Sequence, residues 1–159
     1  MGEPEVLILD EPTSGLDPQA RRSLWELVRG LAGGRCVLAS THIAEDAEEH
    51  ADTVIVFYQG RIVAMGSPRE LLERYAPEST IIVRGRLSYH PRVEGASLLE
   101  AGASIARYAT RSPEEVLPRL IEAYVAGGSS IEAVEVRRPG LDEVYFVLTG
   151  SRLSDEGQG

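Results

Sequence analysis

The sequence has no lysine, little cysteine and no long apolar run. Its single cysteine, Cys36, cannot form an internal disulfide bond. No apolar run reaches the roughly 18 residues that are typical of a membrane span. The opening residues, MGEPEV, do not join a basic segment to an apolar one, as a secretory signal would. These absences favour a cytosolic chain.

The balance of charge narrows the function classes further. All 16 residues counted as Lys or Arg are arginine, and they are outnumbered by 25 acidic residues, which gives a net charge of -9. Affinity for nucleic acids comes largely from basic side chains that neutralise phosphates. Broad nucleic-acid binding is therefore disfavoured. The length of 159 residues leaves room for one domain or two small ones.

A short aliphatic run near the start, Val6–Leu9, ends at two adjacent carboxylates, Asp10 and Glu11. An uninterrupted apolar run is typical of a strand that is buried on both faces of a parallel sheet. Pro12 disfavours the helical conformation for the residue before it. We therefore predict that both carboxylates lie at the carboxyl end of a central strand, where open α/β sheets place their ligands.

The following pattern alternates helices with strands. Asp17 is a suitable cap for a helix that begins at Pro18 and ends before Gly33. Gln59 and Gly60 predict the turn of a hairpin. The strands are predicted at 36–39, where Cys36 is expected in the core, and at 53–58 and 61–65, with an acidic, solvated helix at 43–50 and a short helix from residue 67.

The pattern changes near Pro77 and predicts a second domain. We expect residues 1–75 to form one α/β part, residues 76–150 a small α+β domain, and residues 151–159 a polar tail. The second part is predicted to contain strands at 80–87, 104–108 and 131–137 and helices at 113–126 and 141–148, with a Gly/Ser/Pro-containing stretch between its first two strands.

The carboxylate pair is suited to hydrolytic chemistry. A carboxylate at a strand end can hold the hydration shell of Mg²⁺, and its neighbour can orient and deprotonate a water. Each candidate also has a structural interpretation, since Asp10 and Glu11 can begin a loop, Asp17 can cap a helix and His42 can be a hydrogen-bonded structural residue. The order and spacing of the candidates together favour the functional interpretation.

Three motifs in a fixed order resemble those of the ATP-binding subunit of ABC transporters. The strand that ends at Asp10, within LILDEPTSGLDP, resembles the Walker B strand, and SGLD resembles the D-loop. His42, within LASTHIAEDAEEHADTVIVFYQGRIVAMGSP, resembles the switch histidine. The last segment, RRPGLDEVYFVLTG, is similar to the ending of subunits that serve ABC-2 type exporters of drugs, antibiotics or polysaccharides.

The resemblance implies a fold and a set of roles. The fold is α/β: a partial P-loop NTPase half of sheet and helices, followed by a small α+β C-terminal domain. Asp10 would hold Mg²⁺ through water, Glu11 would polarise the attacking water, and His42 would contact the γ-phosphate of ATP. The D-loop residues expected to contribute to nucleotide binding and to couple two ATPase subunits are Ser14, Gly15 and Asp17.

The phosphate-binding motif of the family is absent from the printed sequence. That motif, G-x-x-x-x-G-K-[S/T], wraps phosphates with backbone N–H groups and contacts them with its lysine, and this chain has no lysine. The LSGGQ-type signature is also absent. We therefore interpret the chain as a C-terminal portion, from a shortened chain, a split gene or a misplaced start. We predict that alone it is inactive, leaves an apolar face or strand edge uncovered, and associates with itself or with the missing half.

The resemblance also implies partners and leaves alternatives open. The partners would be a transmembrane permease subunit, a second ATPase subunit and the missing N-terminal half, at the inner face of the cell membrane. One alternative is an ABC-type ATPase of DNA repair, which the acidic charge and the exporter-like ending disfavour. Another is a non-catalytic regulatory module that binds an ABC ATPase or permease. Such a module would have no physical need for Asp10, Glu11, Asp17 and His42 together.

Overall fold

A computed structural model describes residues 5–151 and 153, which form two compact units. The first unit contains the described residues up to Leu71 and those from Tyr145 onward, and the second unit is Leu72–Val144. The mixed α/β class is confirmed. The predicted polar tail lies outside the described residues except for Ser151 and Leu153. None of the described helices has the length and apolar character needed to cross a bilayer.

Most predicted elements are present with ends that shift by one or two residues. The bounds in chain order are β1 (Val6–Leu9), α1 (Pro18–Leu31), β2 (Cys36–Ala39), α2 (Ala44–His50), β3 (Val54–Tyr58), β4 (Arg61–Gly66), α3 (Pro68–Tyr75), β5 (Ser79–Arg86), β6 (Ala96–Ala101), β7 (Ile105–Thr110), α4 (Pro113–Ala126), β8 (Ser130–Arg137) and α5 (Leu141–Thr149).

In the first unit, β1 and β2 pair in parallel, in register from Val6 opposite Cys36 to Leu9 opposite Ala39. The prediction that β1 is buried on both faces is wrong in this structure, because Val6 is 53% and Ile8 72% exposed. Cys36 is exposed as well, although a core position was expected. No described strand other than these two joins this sheet, so the uncovered apolar face that the sequence predicted is present.

Strands β3 and β4 form the predicted antiparallel hairpin. Its turn residues both have positive φ, 48° at Gln59 and 74° at Gly60, as a two-residue type I′ turn requires. One face of the hairpin carries exposed apolar side chains. These are Ile55, Phe57, Ile62 and Met65.

The second unit is built on a four-stranded antiparallel sheet in the order β6-β7-β5-β8. Helix α4 packs against the sheet over a buried core that includes Ile81, Tyr108, Leu120 and Tyr124. The hydroxyl groups of Tyr108 and Tyr124 lie 2.8 Å apart inside this core, and the Tyr124 hydroxyl lies 3.2 Å from His90 Nδ1.

Strand β6 lies in the Gly/Ser/Pro-containing stretch, where no strand was predicted from the sequence. Leu98 and Leu99 in this strand are 42% and 61% exposed, so the apolar pattern of a half-buried strand is absent. Its pairing with β7 also shifts register between Leu98 and Glu100. Cross-strand pairing at the edge of the sheet, rather than local propensity, defines this strand.

The hairpin turn gives a test of the first unit. Changing Gly60 to Ala places a Cβ at φ 74°, where no neighbouring atom lies within 4 Å, so the cost is backbone strain alone. We expect the free energy of unfolding to fall by about 1–2 kcal/mol. Urea unfolding followed by the fluorescence of Trp25, the only tryptophan in the chain, measures this change. Gly33→Ala is the control, since that site also has open space but no positive φ. Equal stability of the two variants would contradict the turn assignment.

Candidate functional site

Asp10 and Ser40 lie next to each other because they follow two parallel strands. The backbone N–H of Ser40 donates to the carbonyl of Leu9 at 2.9 Å, which extends the pairing beyond the end of β2. The Ser40 hydroxyl then donates to Asp10 Oδ1 at 2.5 Å. One oxygen of the exposed Asp10 carboxylate is therefore fixed by the neighbouring strand.

The backbone of Glu11 is held in an unusual conformation. Its φ is 43°, in the left-handed region that a residue with a side chain seldom adopts, at a cost of about 1–3 kcal/mol. The Glu11 N–H donates to Ser40 Oγ at 2.9 Å, and the Glu11 carbonyl accepts from the Ser14 N–H at 3.1 Å. The Ser40 hydroxyl thus contacts both residues of the carboxylate pair, while the sharp turn after β1 begins at Glu11.

The structure brings Glu11 and His42 together. His42 Nδ1 lies 3.3 Å from Glu11 Oε1, and the two side chains are 43% and 51% exposed. His42 lies inside a local turn, in which Thr41 Oγ1 accepts from the Ile43 N–H at 3.0 Å. This turn leads the chain into α2.

The D-loop residues occupy the turn between β1 and α1. Ser14 and Gly15 are exposed, and Gly15 has a φ of 73°. Asp17 Oδ1 accepts from the N–H groups of Gln19 and Ala20 at 2.9 and 3.0 Å. Asp17 is therefore the cap of α1, and these two bonds lower the pKa of its carboxyl group. No described contact joins Asp17 to Glu11 or His42.

Ser40, Thr13 and Asp46 contribute to the site but were not predicted from the sequence. The acidic helix was expected to be solvated, but Asp46 is only 3% exposed, which corrects that expectation. Asp46 Oδ2 accepts from Thr13 Oγ1 at 2.5 Å, so a partner 33 positions earlier in the chain explains its burial. No local pattern could have shown this pairing, whereas Ser40 could have been inferred from its position after β2.

The Asp10 carboxylate fits a magnesium ion that would be bound mainly through water and phosphate. The described residues contain no group of three or more His, Cys, Asp or Glu side chains arranged to hold a metal. Mg²⁺ keeps several waters and is usually bound through one or two carboxylates together with substrate phosphates. Asp10, with one oxygen fixed by Ser40, matches that requirement.

Comparisons with known proteins agree with the motifs. The chain is 38% identical over 158 residues to Nod factor export ATP-binding protein I of Rhizobium leguminosarum bv. viciae, covering 96% of this chain and 49% of that protein. It is 37% identical over 154 residues to the daunorubicin resistance ATP-binding protein DrrA3 of Streptomyces coeruleorubidus, covering 93% of this chain and 49% of that protein. The chain spans about half the length of the curated relatives it matches.

Two further matches are shorter. The family model described as "AAA domain, putative AbiEii toxin, Type IV TA system" matches residues 1–45. A solved structure titled "Structure of ATP binding subunit of ABC transporter" is 36% identical, with a TM-score of 0.41, and the match covers 46% of this chain and 31% of that one.

The long matches identify the class of protein. The relatives are ATP-binding proteins, and their names refer to Nod factor export and to daunorubicin resistance. The chain is therefore a relative of the ATP-binding proteins of ABC transporters of the exporter type, which confirms the resemblance recognised from the motifs.

Removing the Ser40 hydroxyl should loosen the carboxylate pair. Ser40→Ala deletes both the donor to Asp10 and the acceptor for the Glu11 N–H, and we expect the free energy of unfolding to fall by about 1 kcal/mol. Urea unfolding followed by Trp25 fluorescence measures this loss. Ser23→Ala is the control, because Ser23 is exposed on α1 and makes no described side-chain hydrogen bond. Equal stability of Ser40→Ala and the unmodified chain would show that the bridge contributes nothing.

The cap at Asp17 predicts a dependence on pH. Its pKa is lowered in the folded state by the hydrogen bonds from Ala20 and Gln19, so its stabilising effect is fully present above the ordinary value and is lost as pH falls through the lowered value. Asp17→Asn keeps a capping oxygen without an ionisable group. We expect the stability difference between the two proteins to shrink in acid, as measured by urea unfolding at several pH values. A difference that is constant with pH would contradict this prediction.

Proposed function

We propose that the chain contributes the metal-binding and water-activating side of an ATP hydrolysis site in an ABC-2 type exporter. The observation that supports this most directly is the approach of Glu11 Oε1 to His42 Nδ1, 3.3 Å, beside Asp10 at the ends of two parallel strands. The order of these residues along the chain is the order of the family motifs.

The exposed side chains have the chemistry that this role requires. The Glu11 carboxylate accepts a hydrogen bond from a water and orients it for attack, and its turn conformation keeps it at the edge of the sheet. The imidazole of His42 would donate a hydrogen bond to the γ-phosphate of ATP. The neighbouring Glu11 carboxylate contacts this ring and favours its orientation. Asp10 would hold the hydration shell of a bound Mg²⁺. Bound ATP would supply the phosphoryl group that is transferred to water.

The phosphates need the loop that the family's G-x-x-x-x-G-K-[S/T] motif supplies, and that motif is absent from the printed sequence. Phosphoryl transfer depends mainly on positioning and on neutralising the charge of the phosphates, and the printed sequence contains no lysine. We infer that a second segment supplies the phosphate-binding loop and covers the exposed apolar side chains of β1. The other proposed partners are a second ATPase subunit and a transmembrane permease, which places the chain at the inner face of the membrane. The exported molecule is then selected by the permease.

A non-catalytic regulatory role is the second candidate. It is favoured by the second unit, which has its own buried core between α4 and the four-stranded sheet. A unit of this kind can bind an ABC ATPase or permease without hydrolysis. DNA repair is disfavoured by the net charge of -9.

A fusion protein tests the catalytic proposal. The N-terminal half of the Rhizobium leguminosarum relative is joined to this chain, and ATP binding and turnover are measured separately. We expect the fusion to hydrolyse ATP and Glu11→Gln to lower turnover by about 10²–10⁴-fold without loss of ATP binding. Glu26→Gln is the control, since Glu26 is exposed on α1.

Two outcomes would contradict the proposal. One is a fusion that binds ATP and keeps its turnover in Glu11→Gln. The other is calorimetric binding of Mg-ATP by the unfused chain with low-micromolar affinity, because the proposal assigns the phosphate contacts to another segment. Turnover that is absent from a folded fusion able to bind ATP would favour the regulatory role.

A further inference from the structure

Two side chains in the first unit form a buried polar contact that the proposed mechanism does not use. Thr13 is 1% exposed and Asp46 is 3% exposed. The Thr13 hydroxyl donates to Asp46 Oδ2 at 2.5 Å. Arg21 Nε on α1 lies 3.8 Å from Asp46 Oδ1, so the carboxylate has a second polar neighbour.

A buried carboxylate is costly unless it is paired and hydrogen-bonded. A hydrogen bond to an ionised acceptor is shorter and stronger than one between neutral groups, which fits the short contact from Thr13. Breaking such a pair leaves an uncompensated polar group inside the protein. The interaction therefore constrains the relative position of the segments it joins.

Those segments are the ones that hold the candidate site. Thr13 lies two residues after Glu11, in the turn that also contains Ser14 and Gly15. Asp46 lies on α2, four residues after His42. The Ser40 hydrogen bond and the Glu11–His42 contact join the Glu11 turn to residues 40–42, and the Thr13–Asp46 bond adds a buried link from this turn to α2.

We propose that Asp46 is a positioning residue that, through the Thr13 hydroxyl, fixes the turn carrying Glu11 and the D-loop against the helix that follows His42. The inference rests on the proposed function, because it assigns the residue a role in the same hydrolytic site. Asp46 acts at a distance from the reacting atoms. Its effect is on the approach of Glu11 to His42, both of which are exposed and hold few contacts of their own.

Amide hydrogen exchange in the unmodified chain tests the link. The N–H groups of Ser14 and Leu16 donate within the turn, to the carbonyls of Glu11 and Thr13. We expect Thr13→Val, which keeps the shape and removes the hydroxyl, and Asp46→Ala to speed their exchange by about tenfold. Thr13→Ser should restore slow exchange. Glu45→Gln is the control, because Glu45 is 83% exposed and approaches the same arginine. The amides of α1, in the same unit as Thr13 and Asp46, report whether the rest of that unit stays folded.

A second readout separates positioning from general stability. The ring nitrogen resonances of His42 respond to the carboxylate of Glu11 at 3.3 Å. In Thr13→Val we expect them to move in the direction seen in Glu11→Ala, since loss of stability alone changes the folded population and not the resonance of the folded state. Unmoved His42 resonances, or unchanged exchange at Ser14 and Leu16, would overturn the proposal.

The two proposals fail independently. Neither measurement uses nucleotide, so a folded fusion protein that binds ATP without turnover would count against the proposed function and leave the exchange result standing. Unchanged exchange in Thr13→Val would remove the role of Asp46 and leave the Glu11→Gln test intact.

Discussion

The candidate site depends on the parallel pairing of β1 and β2. Because the register sets Leu9 opposite Ala39, the next residue of each strand, Asp10 and Ser40, meets its neighbour at the same edge. The serine hydroxyl then donates to one carboxylate and accepts from the backbone of the following residue. A shift of register would separate these groups, so the strand pairing determines the chemistry at the edge.

The two units differ in how far they bury their apolar side chains. In the second unit, a sheet of four strands and α4 enclose a core in which Ile81, Val83 and Leu120 are fully buried. In the first unit, the described sheets have two strands each, and Ile8, Phe57 and Met65 remain exposed. Isolated two-stranded sheets are marginal in water. These exposed faces are the surfaces that the proposed phosphate-binding segment would cover.

Local signals predicted much of the fold. Asp17 and Pro18 defined the start of α1, and Gln59 and Gly60 defined the hairpin, because caps and turns depend on a few neighbouring residues. Strand β6 was missed because its pairing with β7, rather than its own pattern, makes it a strand. The burial of Val6–Leu9 was predicted wrongly, since an apolar run indicates the tendency of a strand to be covered and not the presence of a cover.

In the candidate site, too, local motifs were predicted from the sequence and contacts between distant residues were not. Asp10, Glu11 and His42 were recognised from their order in the sequence, and the structure places Glu11 beside His42. Their roles stay predictions. Ser40 could have been inferred from its position after β2, but the contribution of Asp46 could not, because it acts through a partner 33 positions away in the chain. Supporting contacts of this kind leave little trace in one sequence.

Two tyrosine hydroxyls in the core of the second unit and the partly buried ring of His90 have a consequence for proton placement. The hydroxyl of Tyr124 lies between the hydroxyl of Tyr108 and Nδ1 of His90, and a phenol has a single proton to donate. If His90 carries its proton on Nε2, Tyr124 donates to it and accepts from Tyr108. If the proton is on Nδ1, both bonds reverse direction. The tautomer of the partly buried His90 ring thus determines the donor and the acceptor in both hydrogen bonds of Tyr124.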